Sequence, residues 1–157
     1  MRVTVKIEWH EYLTAALVGV ARQIVAEARD CNRPLYSGGD EVITNIQGAT
    51  AELAAAKVLN LYWGGIGLPK RVDIGRDTEV RHTEYPAGGL LIKDKDEDSR
   101  PYVLVRGTPP FLEVVGWMYG RDAKQQRWRK DGYFLVPGEE LVAINEFRAK
   151  PDGGAIV

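Results

Sequence analysis

The stretch "VDIGRDTEVRHTEY", Val72 to Tyr85, decides how the chain folds around its chemistry. It reads as the end of one strand, Lys70–Ile74, a turn at Gly75, and a second strand over Thr78–Thr83. Side chains two apart on a strand share a face, so Glu79 and Arg81 project together while Val80 and His82 point the other way. If the two segments pair as a hairpin, Asp73 lies near Glu79. Two adjacent carboxylates repel unless a cation sits between them. A hard divalent ion such as Mg²⁺ is bound by oxygen clusters of this kind. The competing reading is a surface hairpin whose acids pair with Arg71, Arg76 and Arg81.

Upstream, "GATAELAAAKVLNLYW" predicts a helix over roughly Ala49 to Tyr62. With Glu52 at zero on a helical wheel, Gly48, Ala49, Ala55, Ala56 and Leu59 fall within about 60° of it. Lys57 and Thr50 lie on the far side. The carboxylate therefore projects from a small, apolar face that can approach a sheet closely. A buried carboxylate needs a cation, a metal or hydrogen-bond donors. Packed on the hairpin, Glu52 would supply a third oxygen ligand beside Asp73 and Glu79, with Arg81 positioned for a phosphate.

Outward from there the elements alternate with clear breaks. An N-terminal helix is predicted from about Glu8 to Arg29, with Leu13, Leu17, Val20, Ile24 and Ala28 as its core-facing stripe. "DCNRPLYSGGD" ends it. Further strands are predicted at Leu90–Lys93, Pro101–Arg106, Leu112–Tyr119 and in "DGYFLVP", and a last helix or helical turn in "GEELVAINEFRA". "KDKDEDSR" reads as a solvated turn and residues 150–157 as a loose tail. This order makes the fold α+β, with helices packed on a curved, mostly antiparallel or mixed sheet.

At 157 residues the chain suits one domain, with an N-terminal helical segment over 1–34 and the motif-bearing core over 47–121. Its formal net charge of −1 gives no global basic field, so any phosphate-binding surface is local. One cysteine and two distant histidines exclude a disulfide framework and a zinc cluster. No apolar run approaches a membrane span and "MRVTVKIEWHEYL" lacks a secretory core, so the expected setting is cytoplasmic.

A helix Glu, then a strand Asp, then Glu-x-Arg on the next strand resembles the PD-(D/E)XK nuclease superfamily, in particular the small nuclease-like proteins of phages and prophages. Glu52, Asp73 in "PKRVDIG" and Glu79-Val80-Arg81 carry the resemblance, which extends to "YVLVRGTPPFLEVVGWMYGRDA". It implies a restriction-endonuclease-like core and metal-dependent hydrolysis of DNA phosphodiester bonds in the (host) cytoplasm. Asp73, Glu79 and Arg81 would be catalytic, and Glu52, Asp73 and Glu79 would hold Mg²⁺ or Mn²⁺. Cutting both strands would favour a homodimer. Arg81 stands where the family has Lys and cannot act as a base. Lys93, on the adjacent predicted strand, could supply an ammonium instead. The alternative is a nuclease-fold module that has lost catalysis and binds nucleic acid or a protein.

Phosphate contacts are expected from Arg71, Arg76 and Arg106 near the acids. A second set lies in "KQQRWRKDGYF", where Lys124, Arg127, Arg129 and Lys130 surround Trp128. Basic residues interleaved with aromatics can track a backbone and stack on bases.

Overall fold

A computed structural model describes residues 1–29, 39–66 and 72–149. Strand β1 (Val3–Lys6) leads into helix α1 (Trp9–Arg29), followed by helix α2 (Gly39–Leu59). Then come β2 (Glu79–Thr83), β3 (Leu90–Lys93), β4 (Pro101–Thr108), β5 (Phe111–Tyr119), the one-turn helix α3 (Gly120–Ala123) and β6 (Tyr133–Val136). A four-stranded sheet runs β1-β5-β4-β2, and β3 pairs with β6 in a separate two-stranded sheet. β4 is antiparallel to β5 but parallel to β2, so the main sheet is mixed and the class is α+β.

Strand alternation divides the interior into two cores. On one face Val80, Val103, Val105 and Val114 meet Ala51, Ala54, Ala55 and Ala56 of α2. On the other, Tyr102, Leu104, Val115 and Met118 meet Leu90, Ile92, Phe134 and Val136. β4 is covered on both faces, which explains its nearly continuous apolar run "YVLV". The alanines of α2 bring its axis close to the sheet, and Glu52 comes with them, 6% exposed.

Several sequence expectations change. β2 and β4 are joined by a parallel crossover, not by consecutive antiparallel steps, because β3 leaves the main sheet to cover the second core. Lys93 consequently stands exposed on a different sheet from Arg81. α2 begins at Gly39, ten residues before the predicted start at Ala49. Val72 and Asp73 form no strand; Ile74 makes only isolated bridges to Trp63 and Thr78. The predicted last helix resolves into two 3-10 turns, Gly138–Glu140 and Ile144–Glu146.

The largest reversal is α1. Its predicted inward stripe faces solvent, with Leu13 52%, Leu17 62% and Ile24 58% exposed. The buried face consists of Ala15, Gly19, Gln23 and Glu27. Small residues allow close approach to α2, and polar groups tie the helices together. Gln23 donates to Glu27 at 2.7 Å and to Glu41 at 2.9 Å, and accepts from Asn45 at 2.6 Å. A Cβ on Gly19 would lie 2.6 Å from the backbone N and Cα of Ile46. Gly19→Ala is therefore expected to cost about 1–3 kcal/mol by forcing the helices apart, outweighing the better helix propensity of alanine. A urea midpoint unchanged from wild type would refute this close packing.

Candidate functional site

Among the described residues β2 is the outermost strand of its sheet, and no strand pairs with its outer backbone edge. Asp73 fills part of that edge: its Oδ2 accepts the Val80 N–H at 2.7 Å. A tight turn delivers it there. Ile74 and Thr78 exchange backbone hydrogen bonds of 3.1 and 3.3 Å, and Gly75, at φ 59°, donates to the Tyr62 carbonyl at 2.8 Å. A sheet edge is where acids from opposite faces can meet. Glu52 arrives from α2 on one face, while Glu79 shares the other with its register partner Tyr102.

Glu52 is paired in full. Arg22 grips it bidentately, at 2.8 and 2.7 Å, and the Trp63 indole N–H donates to Oε2 at 2.9 Å. Arg22 also donates to the Gly65 carbonyl. A guanidinium fork matches a carboxylate in this way, and two charges this buried require such complete pairing.

Among the described residues no guanidinium grips Asp73 as Arg22 grips Glu52, although the Arg22 charge lies near enough for the two to interact. Burial, then the nearby charge of Glu52, push its carboxyl up to about 7 against the relief from the Val80 N–H; Glu79 adds both its charge and a side-chain hydrogen bond to Asp73. Glu79 in turn pairs with Arg100 and lies 4.0 Å from Arg81. Arg81 is held by Asp96 at 3.0 Å and lies over the Tyr102 ring, 5.1 Å from its centroid. The Glu79 and Arg81 side chains thus occupy one face, as strand parity requires. Asp73 and Arg100 line an open cleft of about 360 Å³ whose other walls include Tyr62, Gly64 and exposed Arg76.

The donor set can be tested against the divalent ion implied by the resemblance. Asp73 and Glu79 form an adjoining carboxyl pair whose mutual repulsion a cation would relieve. Both Glu52 oxygens accept from Arg22 or Trp63. Among the described residues no group of three or more His, Cys, Asp or Glu is arranged to hold a metal ion. An ion of the Mg²⁺ type binds through one or two carboxylates and keeps its waters; it would have to share Asp73 with the Val80 N–H and Glu79 with Arg100. Asp73 and Glu79 would hold it, with Glu52 behind them.

The basic residues divide sharply. Arg71 lies outside the described residues. Arg76 stands at the cleft. Arg106 is 3% exposed and donates through Nε to the Gly88 carbonyl at 2.7 Å, so it has no surface to offer a phosphate. Trp128 is 6% exposed in the second core and cannot stack on a base. Lys124 gathers the acidic turn, reaching the Asp96 carbonyl and the Asp98 carboxylate at 2.6 Å each. Arg129 pairs with Asp94, and Arg127 lies over the Trp128 ring and reaches Glu140 at 3.4 Å. Lys130 remains exposed. Two of the four cations of the predicted track, Lys124 and Arg129, thus pair with carboxylates of the acidic turn.

Arg22, Trp63, Asp96 and Arg100 were not among the predicted site residues. Arg22 was legible in one way: it lies opposite the apolar stripe of α1, beside Gly19 and Gln23. Taking the apolar face as inward hid it. Asp96 and Arg100 sit in the run read as a solvated turn, where only the fold reveals their partners.

No helix among the described residues is long and apolar enough to cross a membrane. No family model matches the chain, and no curated protein or solved structure matches it significantly.

Proposed function

We propose that the protein is a divalent-cation-dependent phosphodiesterase acting on DNA. The observation that carries this reading is the Asp73–Glu79 carboxyl contact, buried on its inner side yet open to a cleft walled by Arg76 and Arg100. Two acids pressed together cost stability, and such cost is common where function requires the arrangement. When bound, a divalent ion would polarise the scissile phosphate and acidify a water. Asp73 and Glu79 would hold that ion. Arg100 and Arg76 would orient the phosphate and offset charge developing on it. Arg81, fixed by Asp96, would add positive potential behind Glu79. Arg22 and Trp63 would hold the Glu52 side chain in place behind Asp73.

The test is cleavage of labelled single-stranded, duplex and branched DNA with Mg²⁺, with Mn²⁺ and with chelator. Wild type is expected to cut only with the ion, and Asp73→Ala to lose cutting while keeping its circular dichroism spectrum. Equal cutting by the variant would exclude this site.

A second reading is a module that binds DNA without cutting it. The full engagement of Glu52 by Arg22 and of Arg81 by Asp96 favours it, since neither side chain is then poised for chemistry. Salt-sensitive binding with no cleavage under any ion would select this reading.

A further inference from the structure

Helix α1 is inverted. Its charged residues between Trp9 and Ala28 are turned away from solvent: Glu11 meets Lys57 at 2.7 Å, Arg22 meets Glu52 at 2.7 Å, and Glu27, 4% exposed, accepts from Gln23 of its own helix at 2.7 Å. No exposed residue in that span is Asp, Glu, Lys or Arg. What faces solvent instead is Trp9, Leu13, Leu17, Val20, Ile24 and Val25, each 37% exposed or more. Leu13, Leu17, Val20 and Ile24 lie within about 60° of one another on the helix. Their spacing of four, three and four is that of a helix–helix seam, in which side chains insert between those of a facing helix.

We propose that this seam is a homodimer interface, α1 packing against α1 of a second copy across a two-fold axis. Three observations choose that occupant. The exposed apolar area of Trp9 and the four seam residues is roughly 550 Å², at the top of the range for the largest patch of a typical monomer, and two copies would together bury about 1,100 Å², enough for a specific interface. The stripe carries no charge, so a two-fold axis brings no like charges together. Its seam spacing is self-complementary, as a two-fold contact requires. The one exposed cation of the helix, Arg29, lies about 160° round from Leu13, away from the side on which it would draw the stripe to an anionic lipid surface.

The test is analytical ultracentrifugation of the full chain at about 100 µM, above the weakest affinity expected of an interface this size. Wild type is expected to sediment as a species of twice the 17.5 kDa chain mass. Leu17→Glu with Ile24→Glu is expected to halve that mass with unchanged circular dichroism, because like charges repel across the seam and both side chains are more than half exposed. A monomeric wild type overturns the proposal. Flotation of that monomer with uncharged phosphatidylcholine vesicles would then assign the stripe to lipid. Dimerisation only after removal of residues 150–157 would assign it to the chain's own C-terminal segment. A dimer that survives both charges places the interface elsewhere and equally overturns it. None of these outcomes depends on cleavage, so the dimer and the proposed activity stand or fall separately.

Discussion

Arg22→Met is expected to lower the unfolding free energy by about 3–5 kcal/mol, the usual consequence of removing one partner from a buried ion pair. Glu52, 6% exposed, would keep only the Trp63 N–H and would face Asp73 without compensation. The effect should be pH-dependent, because an unpaired buried carboxylate can escape the penalty by taking a proton. Part of the loss should therefore return on acidification. Urea unfolding followed by tryptophan fluorescence measures it: the midpoint should fall with little change in slope. The double variant Arg22→Met with Glu52→Leu removes both charges and should recover most of the loss. A loss below about 1 kcal/mol in the single variant would mean the pair behaves as an ordinary surface bridge.

Asp73→Asn should do the opposite. Its amide oxygen can still accept the Val80 N–H, and its NH₂ can donate to Glu79, so repulsion becomes attraction. The sign follows from linkage. The native carboxyl holds its proton to about 7, whereas an ordinary aspartate releases it near 3.8, so the folded state binds more protons between these values. Stability from this group is complete below the lower value and is lost as pH rises through the upper one. Wild type should therefore weaken between roughly pH 4 and 8 by on the order of 2–4 kcal/mol through this group. The variant should lack that slope and be the more stable at pH 8. Millimolar Mg²⁺ or Mn²⁺ should raise the melting temperature of wild type at pH 8 and leave the variant unmoved, since an ion that binds the native pair stabilises it by mass action. Parallel stability curves for the two proteins between pH 4 and 8 would show that Asp73 is not held in the repulsive arrangement.

Much of this was legible from local pattern. Alternation in "TEVRHT" placed Glu79 and Arg81 on one face and buried Val80 on the other, because successive strand side chains must point opposite ways. The helical wheel of "GATAELAAAK" buried Glu52 among alanines, because helix geometry alone puts those residues on one side. The strand positions of β3 to β6 followed from apolar runs and the turns between them. Pairing was not legible. Whether β2 meets β4 parallel depends on where the chain goes between Thr83 and Pro101, and an edge or centre position leaves little trace in a short strand.

Local pattern was enough for β3 to β6 and for two long helices, and it put three acids and an arginine at spacings that could converge. Packing chose which groups those acids meet. It gave Glu52 to Arg22, gave Arg81 to Asp96, and left Asp73 pressed against Glu79 at the sheet edge. It also turned α1 over. An apolar stripe states only that some surface wants covering; the buried side of a helix is chosen by which face fits its neighbour. Here Gly19 and Ala15 permit the closest approach to α2, and Gln23 and Arg22 find complete polar partners there. Periodicity records the two faces of a helix, and only packing distinguishes the one that meets this chain from the one left for another.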